Sequence, residues 1–387
     1  RAVLSVFALI CEYNPFHNGH KYIIEQVKNE NDSLIAVMSG SFTQRGDVAV
    51  ADKFSRAESA VKNGADIVIE LPTIYACSNA ETFAKGGIGI INSLGVADRL
   101  CFGAEDNDMP LLSLAAEAFE DKQFKTELKR NMDSGMYYPK AAEEAMSKAF
   151  SPSLAEVIKK PNNILAIEYI KALKGTDIEA VTVKRIGAEH DSIESSESIA
   201  SASYIRELIT SGKDYSSFVP NYTVDNPADI KRLGRTVLYK MRTLSKEDIK
   251  KLPDVTEGLE NRIYDAVKIS NSIDELFSNI KTKRYTMARI RRIIISALLG
   301  ITADTAKTRA PYIRVLAFNE KGAQLMPEIK KRCPITLITN VADGYKKLNG
   351  EARKIFDIDI LATDIQNLAA EKIGNCSTDF TKGVIRV

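Results

Sequence analysis

The stretch 2–11 is apolar almost throughout and rich in aliphatic residues, which predicts a parallel strand covered on both faces. A loop containing Asn14-Pro15 follows. From Gly19 apolar residues return at helical spacing (Tyr22, Ile23, Val27), and a second buried strand over 34–38 stops at Ser39-Gly40. The alternation continues with a helix over 51–62, a strand over 66–71 ended by Pro72, a helix over 79–94 and a strand over 99–103. Residues 108–175 read as mainly helical, 179–183 give another strand, and a helix is expected to begin near Ser201. Such a pattern predicts an α/β fold with a doubly wound parallel sheet, whose ligands sit beyond the carboxyl ends of the strands. The loops after Cys11, Met38, Leu71 and Phe102 should then line one crevice.

Beyond Pro220 the pattern changes to successive helices over 226–242, 246–252, 256–270, 272–279 and 286–299, then a mixed tail with strands at 314–318 and 336–338. Three regions follow: 1–220 as the sheet-bearing nucleotide domain, 221–305 as a helical basic region, and 306–387 as a mixed α/β tail. A length of 387 residues agrees with two or three domains at about 150 residues each. With 44% hydrophobic and 27% charged residues, the composition excludes a disordered or fibrous chain. The longest apolar runs fall short of the ~20 residues of a membrane span, so no membrane partner is expected. The apolar start lacks a small-residue cleavage site and reads as a strand, not a secretory signal. Five scattered cysteines without a C-x-x-C pair support neither a disulfide framework nor a zinc site, and fit a reducing cytoplasm.

Charge is divided unevenly. Residues 221–387 carry 30 Lys and Arg against 20 Asp and Glu, whereas 1–220 carry 23 against 31. A polyanion facing the second half is the natural partner for such a split. The densest basic run is 281–292, with Lys281, Lys283, Arg284, Arg289, Arg291 and Arg292 and no acid. It reads either as a solvated helix face or as a set of phosphate contacts for RNA.

Two of the three histidines fall in His17-Asn18-Gly19-His20, at the turn from the first strand into the first helix. A phosphate there would meet the unpaired N–H groups and partial positive charge of a helix N-terminus. Two imidazoles add donors, and Gly19 admits the ligand without a Cβ in the way. No third or fourth ligand cluster supports a metal at this turn.

The turn resembles the H-x-G-H signature of nucleotidyltransferases with the Rossmann-like fold shared by class I aminoacyl-tRNA synthetases. Ala200-Ser201-Ala202-Ser203-Tyr204-Ile205-Arg206 resembles their second signature, of the I-S-S-T-x-I-R type, matching at Ser201, Ser203, Ile205 and Arg206. More closely, the chain is similar to the bacterial tRNA(Met) cytidine acetate ligase family through several ordered segments. They are Glu12-Tyr13-Asn14-Pro15-Phe16-His17-Asn18-Gly19-His20, Val37-Met38-Ser39-Gly40-Ser41-Phe42-Thr43-Gln44-Arg45-Gly46, Ile69-Glu70-Leu71-Pro72 and Pro161-Asn162-Asn163-Ile164-Leu165-Ala166. Arg284-Tyr285-Thr286, Arg289-Ile290-Arg291-Arg292 and Pro311-Tyr312-Ile313-Arg314-Val315-Leu316 continue it, so it spans nearly the whole chain.

The resemblance implies an ATP-dependent ligase that forms acetyl-adenylate and acetylates N4 of the wobble cytidine (C34) of elongator tRNA(Met). Its partners would be ATP, acetate and that tRNA, with Mg²⁺ on the phosphates. His17, Gly19 and His20 would be catalytic, holding the α-phosphate, and Arg206 would meet the β- and γ-phosphates. The nucleotide would be surrounded by Ile10, Cys11, Glu12, Tyr13, Asn14, Pro15, Phe16, His17, Asn18, Gly19, His20, Lys21, Tyr22 and Ile23, together with Gly103, Asn162, Arg185, Ile186, Ser203 and Arg206. Two other functions share part of the pattern: a nucleotidyltransferase acting on a small phosphorylated metabolite, and a non-catalytic RNA-binding protein on a relic nucleotide fold. A general-base role for the histidines is a further reading.

Other residues carry paired expectations. Arg45 either touches a phosphate or RNA, or braces its loop through Asp47. Glu70 is expected to be satisfied by backbone N–H groups, or else to brace the site or hydrogen-bond a substrate. Asn162 and Asn163 are expected to cap the helix beginning near Ile164, or to read the adenine or ribose. His190 with Asp191 reads as a partly exposed pair without catalytic duty rather than as an acid–base dyad.

Overall fold

The computed structural model describes residues 5–184, 198–256 and 258–387. Five strands, β1 (Val6–Cys11), β2 (Ser33–Ser39), β3 (Ile67–Leu71), β4 (Arg99–Ala104) and β5 (Glu179–Lys184), run parallel to one another. The C-terminal strands β6 (Tyr312–Phe318), β7 (Thr336–Ile338) and β8 (Ile385–Arg386) join the same sheet, β6 pairing antiparallel to β3. The spatial order is β5-β4-β1-β2-β3-β6-β7, with β8 also beside β6. Region 306–387 therefore adds its strands to the sheet begun by the first hundred residues.

The strand side chains alternate between two cores. Phe7, Leu9, Leu34, Ala36, Met38 and Val68 face one side, where they meet Ile24 and Val27 of helix α1 (Asn18–Val27) and Phe54, Ala57 and Val61 of α2 (Lys53–Lys62). Ala8, Ile35, Val37, Ile67 and Ile69 face the other, against Phe83, Ile88 and Ile91 of helix Ala80–Leu94 and the larger helical body. A sheet covered on both faces is what near-continuous apolar runs predict, and the period of two divides each run between the layers. This is the doubly wound arrangement read from the sequence.

Chain order places the crevice. From β1 the sheet grows through β2 and β3 to one side, then β4 is added on the other side of β1. The order reverses between β1 and β4, and in such sheets ligands bind beyond the carboxyl ends of the strands at that reversal. Region 108–175 holds five helices, the last being Pro161–Leu173, which packs beside helix Ala80–Leu94 and reaches β4. The helix expected over 226–242 is shorter: a 3-10 turn, Ile230–Leu233, leads into helix Gly234–Arg242. Residues 226–229 stay outside the helix because Ala228 bridges to Ala370 and donates to the Val50 carbonyl.

Candidate active site

The loop from Cys11 to His17 carries the chain from β1 across the crevice. Tyr13 has φ of 45°, and the Asn14–Pro15 peptide is cis. His17 then sits at the N-cap of α1 with extended backbone, and its Nδ1 accepts from Gly19 N–H at 3.1 Å. In return His20 Nδ1 accepts from His17 N–H at 3.3 Å, so two histidines form the reciprocal cap that Ser and Glu usually supply. Their rings stack with centroids 3.7 Å apart and planes 23° from parallel. Tyr13 and Phe16 hold His20 from the core side, at centroid distances of 4.8 and 5.7 Å.

These contacts assign the tautomers. A neutral imidazole has one donor nitrogen and one acceptor. Because both Nδ1 atoms accept, the proton of each ring is assigned to Nε2. A Cβ on Gly19 would lie 2.9 Å from His17 Cε1, so only glycine leaves this imidazole its place. The helix end at the crevice thus combines backbone N–H groups with two stacked Nε2–H donors, a set suited to phosphoryl oxygens.

Further chain folds over the turn. Asn18 Nδ2 donates to the carbonyls of Ser198 and Ser217 at 2.8 and 2.9 Å. Helix Ala202–Thr210 is capped by Ser201, and from it Arg206 donates to the Asn14 carbonyl at 2.8 Å and to Ser203 Oγ at 3.0 Å. The second signature is thereby brought onto the first. Glu12 accepts from Gln44 N–H at 2.7 Å, and burial raises its carboxyl pKa although Arg206, Arg45 and Arg56 oppose the rise. Burial likewise raises Asp47, against the charges of Arg291 and Arg206, and lowers Arg206, against Asp47 and Glu12.

On the β4 side, Glu105 accepts from the backbone N–H and side-chain amide of Asn162 and from Asn163 N–H. The Asn163 amide oxygen in turn accepts from Glu105 and Asp106 N–H, both at 3.1 Å. The capping expectation is corrected: Lys160 is the N-cap, both asparagines lie inside the helix, and a carboxylate from the loop after β4 closes its amino end. Helix termini accept such substitutes because any oxygen that reaches the N–H groups suffices. Gly103 is in β4, opposite Val183. Of the remaining sequence candidates, Cys11 ends β1 with its thiol on the Val37 carbonyl, Ile10 packs against Gly87, and Lys21 pairs with Glu25 at 3.8 Å on the outer face of α1. Tyr22 and Ile23 are half-buried on α1. Arg185, Ile186, His190 and Asp191 lie outside the described residues.

The loop after β2 links this crevice to the basic run. Gly46, at φ of +69°, packs so closely on helix Met287–Leu299 that a Cβ would lie 2.4 Å from Arg292 N. Asp47 approaches Arg291 at 3.8 Å, so the alternative in which it braced Arg45 is corrected; Arg45 is exposed. Within the basic run, Arg289 donates to the Asp254 carbonyl and Thr256 Oγ1, and Arg292 reaches Asp254 and the Gln44 carbonyl. Arg291 lies over the Phe277 ring with its Nε buried and unpartnered. Lys281 turns back to the Tyr285 carbonyl at 2.6 Å, and Lys283 and Arg284 are exposed. Lys281, Arg289, Arg291 and Arg292 thus tie down their own helix and the neighbouring loops, and the charges of Arg45, Arg206 and Arg291 reach Glu12 or Asp47.

Sequence reasoning missed two supports. Arg56, fully buried on α2, donates to the carbonyls of Glu12, Ser39, Gly40 and Ala51, clamping the ends of β1 and β2. A cation on the apolar stripe with Phe54, Ala57 and Ala60 was the available signal. Glu70 is held not by backbone N–H groups but by Lys53 at 2.6 Å and Arg314 at 2.9 Å, which also meet Asp379. The reason is register: Arg314 is the direct cross-strand partner of Glu70. No sequence signal pairs residues so far apart.

A family model described as HIGH Nucleotidyl Transferase matches residues 4–379. The tRNA(Met) cytidine acetate ligase of Thermoanaerobacter sp. (strain X514) is 38% identical, the match covering 99% of this chain and 100% of that protein. The protein of the same description from Acetivibrio thermocellus is 36% identical with the same coverage. Among solved structures, Thermotoga maritima TmcAL bound with alpha-thio ATP is similar with a TM-score of 0.90 at 27% identity, covering 99% of this chain and 100% of that one. Its apo form gives 0.92 at 28%.

Proposed function

The chain belongs to the tRNA(Met) cytidine acetate ligase family of HIGH nucleotidyl transferases, and from that premise we propose that it activates acetate with ATP and acetylates N4 of C34 in elongator tRNA(Met). Acetate oxygen attacks the α-phosphorus, the bond to the β-phosphate oxygen breaks, and pyrophosphate leaves. The cytidine N4 then attacks the acetyl carbonyl, AMP departs and the amine loses a proton. Attack on a phosphoryl centre needs little covalent chemistry from protein, so positioning and charge stabilisation supply most of the rate.

The observation that carries this reading is the stacked His17–His20 pair at the sheet's reversal point. Its Nε2–H groups and the α1 N-terminus would hold the α-phosphate, and Arg206 with Ser203 would take the β- and γ-phosphates. Gly103, Asn162, Arg185 and Ile186 would complete the nucleotide enclosure. Lys281, Lys283, Arg284, Arg289, Arg291 and Arg292 would present the basic run to a tRNA backbone, with Lys283 and Arg284 exposed. Among the described residues no group of three or more His, Cys, Asp and Glu is arranged to hold a metal ion. Among these residues no cage for Mg²⁺ is built, and the ion would instead be held by the nucleotide phosphates, where it would offset their charge. Among the described residues no helix is long and apolar enough to cross a membrane, and the five cysteines are free.

Incubation with ATP, radiolabelled acetate and transcribed elongator tRNA(Met) tests the proposal. Label is expected in the tRNA at C34, with AMP and pyrophosphate released. Transfer of AMP to a small metabolite without RNA, or RNA binding without ATP turnover, would sink it.

A further inference from the structure

Helix Gly234–Arg242 and the 3-10 turn before it lie outside the nucleotide crevice. From Ile230 to Lys246 this segment carries Lys231, Arg232, Arg235, Lys240, Arg242 and Lys246 and no carboxylate. Val237, Leu238 and Met241 bury its inner face. Arg235, Tyr239 and Arg242 follow one another at i, i+4 and i+7 on the outer face. Tyr239 is 72% exposed, the most exposed aromatic ring among the described residues. Arg242, one turn on from the ring in sequence, donates to the Ser270 carbonyl at 3.1 Å, which holds its guanidinium in place.

The segment starts at the edge of the site. Ala228 donates to the Val50 carbonyl at 2.9 Å, and the charge of Asp229 reaches Asp47. Tyr239 stands five residues beyond Gly234, roughly 8 Å along the helix. A ring this exposed contributes little to the core. Aromatic faces flanked by cations are how proteins hold unpaired nucleotides, with bases stacked on rings and phosphates on Arg and Lys. Six cations between Asp229 and Glu247 give the segment an excess of positive charge, which favours a polyanion over a protein surface of mixed sign.

We propose that Tyr239 is a stacking platform for an unpaired base of the RNA substrate, with Arg235 and Arg242 on the flanking phosphates. This rests on the reading of the chain as a tRNA-modifying enzyme. Filter binding with transcribed elongator tRNA(Met) tests it. Tyr239→Ala is expected to raise Kd about tenfold, while Tyr239→Phe and Tyr239→Trp stay within about twofold of the native protein, since stacking needs the ring and not the hydroxyl. Arg235→Gln should reduce the slope of log K against log salt by about one. Acetate-dependent pyrophosphate release without RNA should be unchanged in all four variants. Native affinity in Tyr239→Ala, or equal losses in Tyr239→Ala and Tyr239→Phe, would overturn this inference alone. Failure of the native protein to bind the tRNA would overturn it together with the functional reading.

Discussion

The Nδ1 atoms of His17 and His20 close the amino end of α1, and the same two bonds decide which nitrogen of each ring carries a proton. Local structure and chemistry are thus joined in one turn. Protonation of either Nδ1 would remove an acceptor and open the cap. Gly19→Ala puts a methyl group 2.9 Å from His17 Cε1, so the ring must move. Acetate-dependent pyrophosphate release should fall by about 100-fold, because displacements near 1 Å cost that much in positioned catalysis. Thermal unfolding should shift far less, and unchanged turnover would show that the imidazole placement is immaterial. Buried carboxylates give a second residue-scale prediction. Two cations, Lys53 and Arg314, face three carboxylates, Glu70, Asp359 and Asp379. Burial and the Glu70 charge push Asp359 up to about 7, whereas Lys53 and Arg314 hold Asp379 down at about 2. Both unfolded values lie near 4. Asp359 therefore lowers stability as pH rises from about 4 through 7, and Asp379 contributes stability above about 4 that is lost as pH falls towards 2. Urea unfolding across pH 5–8 should show a decline that Asp359→Asn flattens; an undiminished slope in that variant would place the titrating group elsewhere.

At the scale of elements, α2 is a clamp as much as a cover. Arg56 reaches four carbonyls at the ends of β1 and β2 and in the loop between β2 and α2, the backbone that carries the active-site loops. Arg56→Met leaves those carbonyls without their donor, at about 1–3 kcal/mol for each buried group left unsatisfied. The variant should lose at least about 4 kcal/mol in denaturant unfolding, and its kcat should fall while its KM for ATP changes little. Arg56→Lys can restore only part of the fork, because an ammonium cannot span the same planar set. Native-like stability in Arg56→Met would mean that the loops hold themselves. Helix Met287–Leu299 plays the corresponding part for the loop after β2, through Gly46 against Arg292 and the Arg292–Gln44 bond. The basic run is in this sense part of the site's scaffold.

For the whole molecule, the sheet depends on both ends of the chain. Strand β6 pairs with β3, β8 pairs with β6, and Asp379 meets Lys53 and Arg314 inside that junction. A fragment ending at residue 305 would expose an edge of β3 and leave Lys53 and Glu70 without Arg314 and Asp379. It is expected to be unfolded or aggregated, and the full chain to unfold with its N-terminal sheet and C-terminal strands in one transition by hydrogen exchange. A folded 1–305 fragment with native nucleotide binding would refute this. The order of strands and helices was legible in the sequence, because burial on both faces leaves apolar runs and helix faces leave a 3.6-residue period. The His17–His20 turn was legible too, since its hydrogen bonds span three residues or fewer. The partners of Glu70, Asp47, Asn163 and Arg292 were not. Those groups meet residues tens to hundreds of positions away, and a charge in a sequence does not say which opposite charge folding will bring to it. By itself, then, the chain determined its elements and its two-histidine turn, which local geometry sets; only tertiary packing decided that the C-terminal strands complete the first sheet and that buried ions lock them there, because register and desolvation act between segments that no local pattern connects.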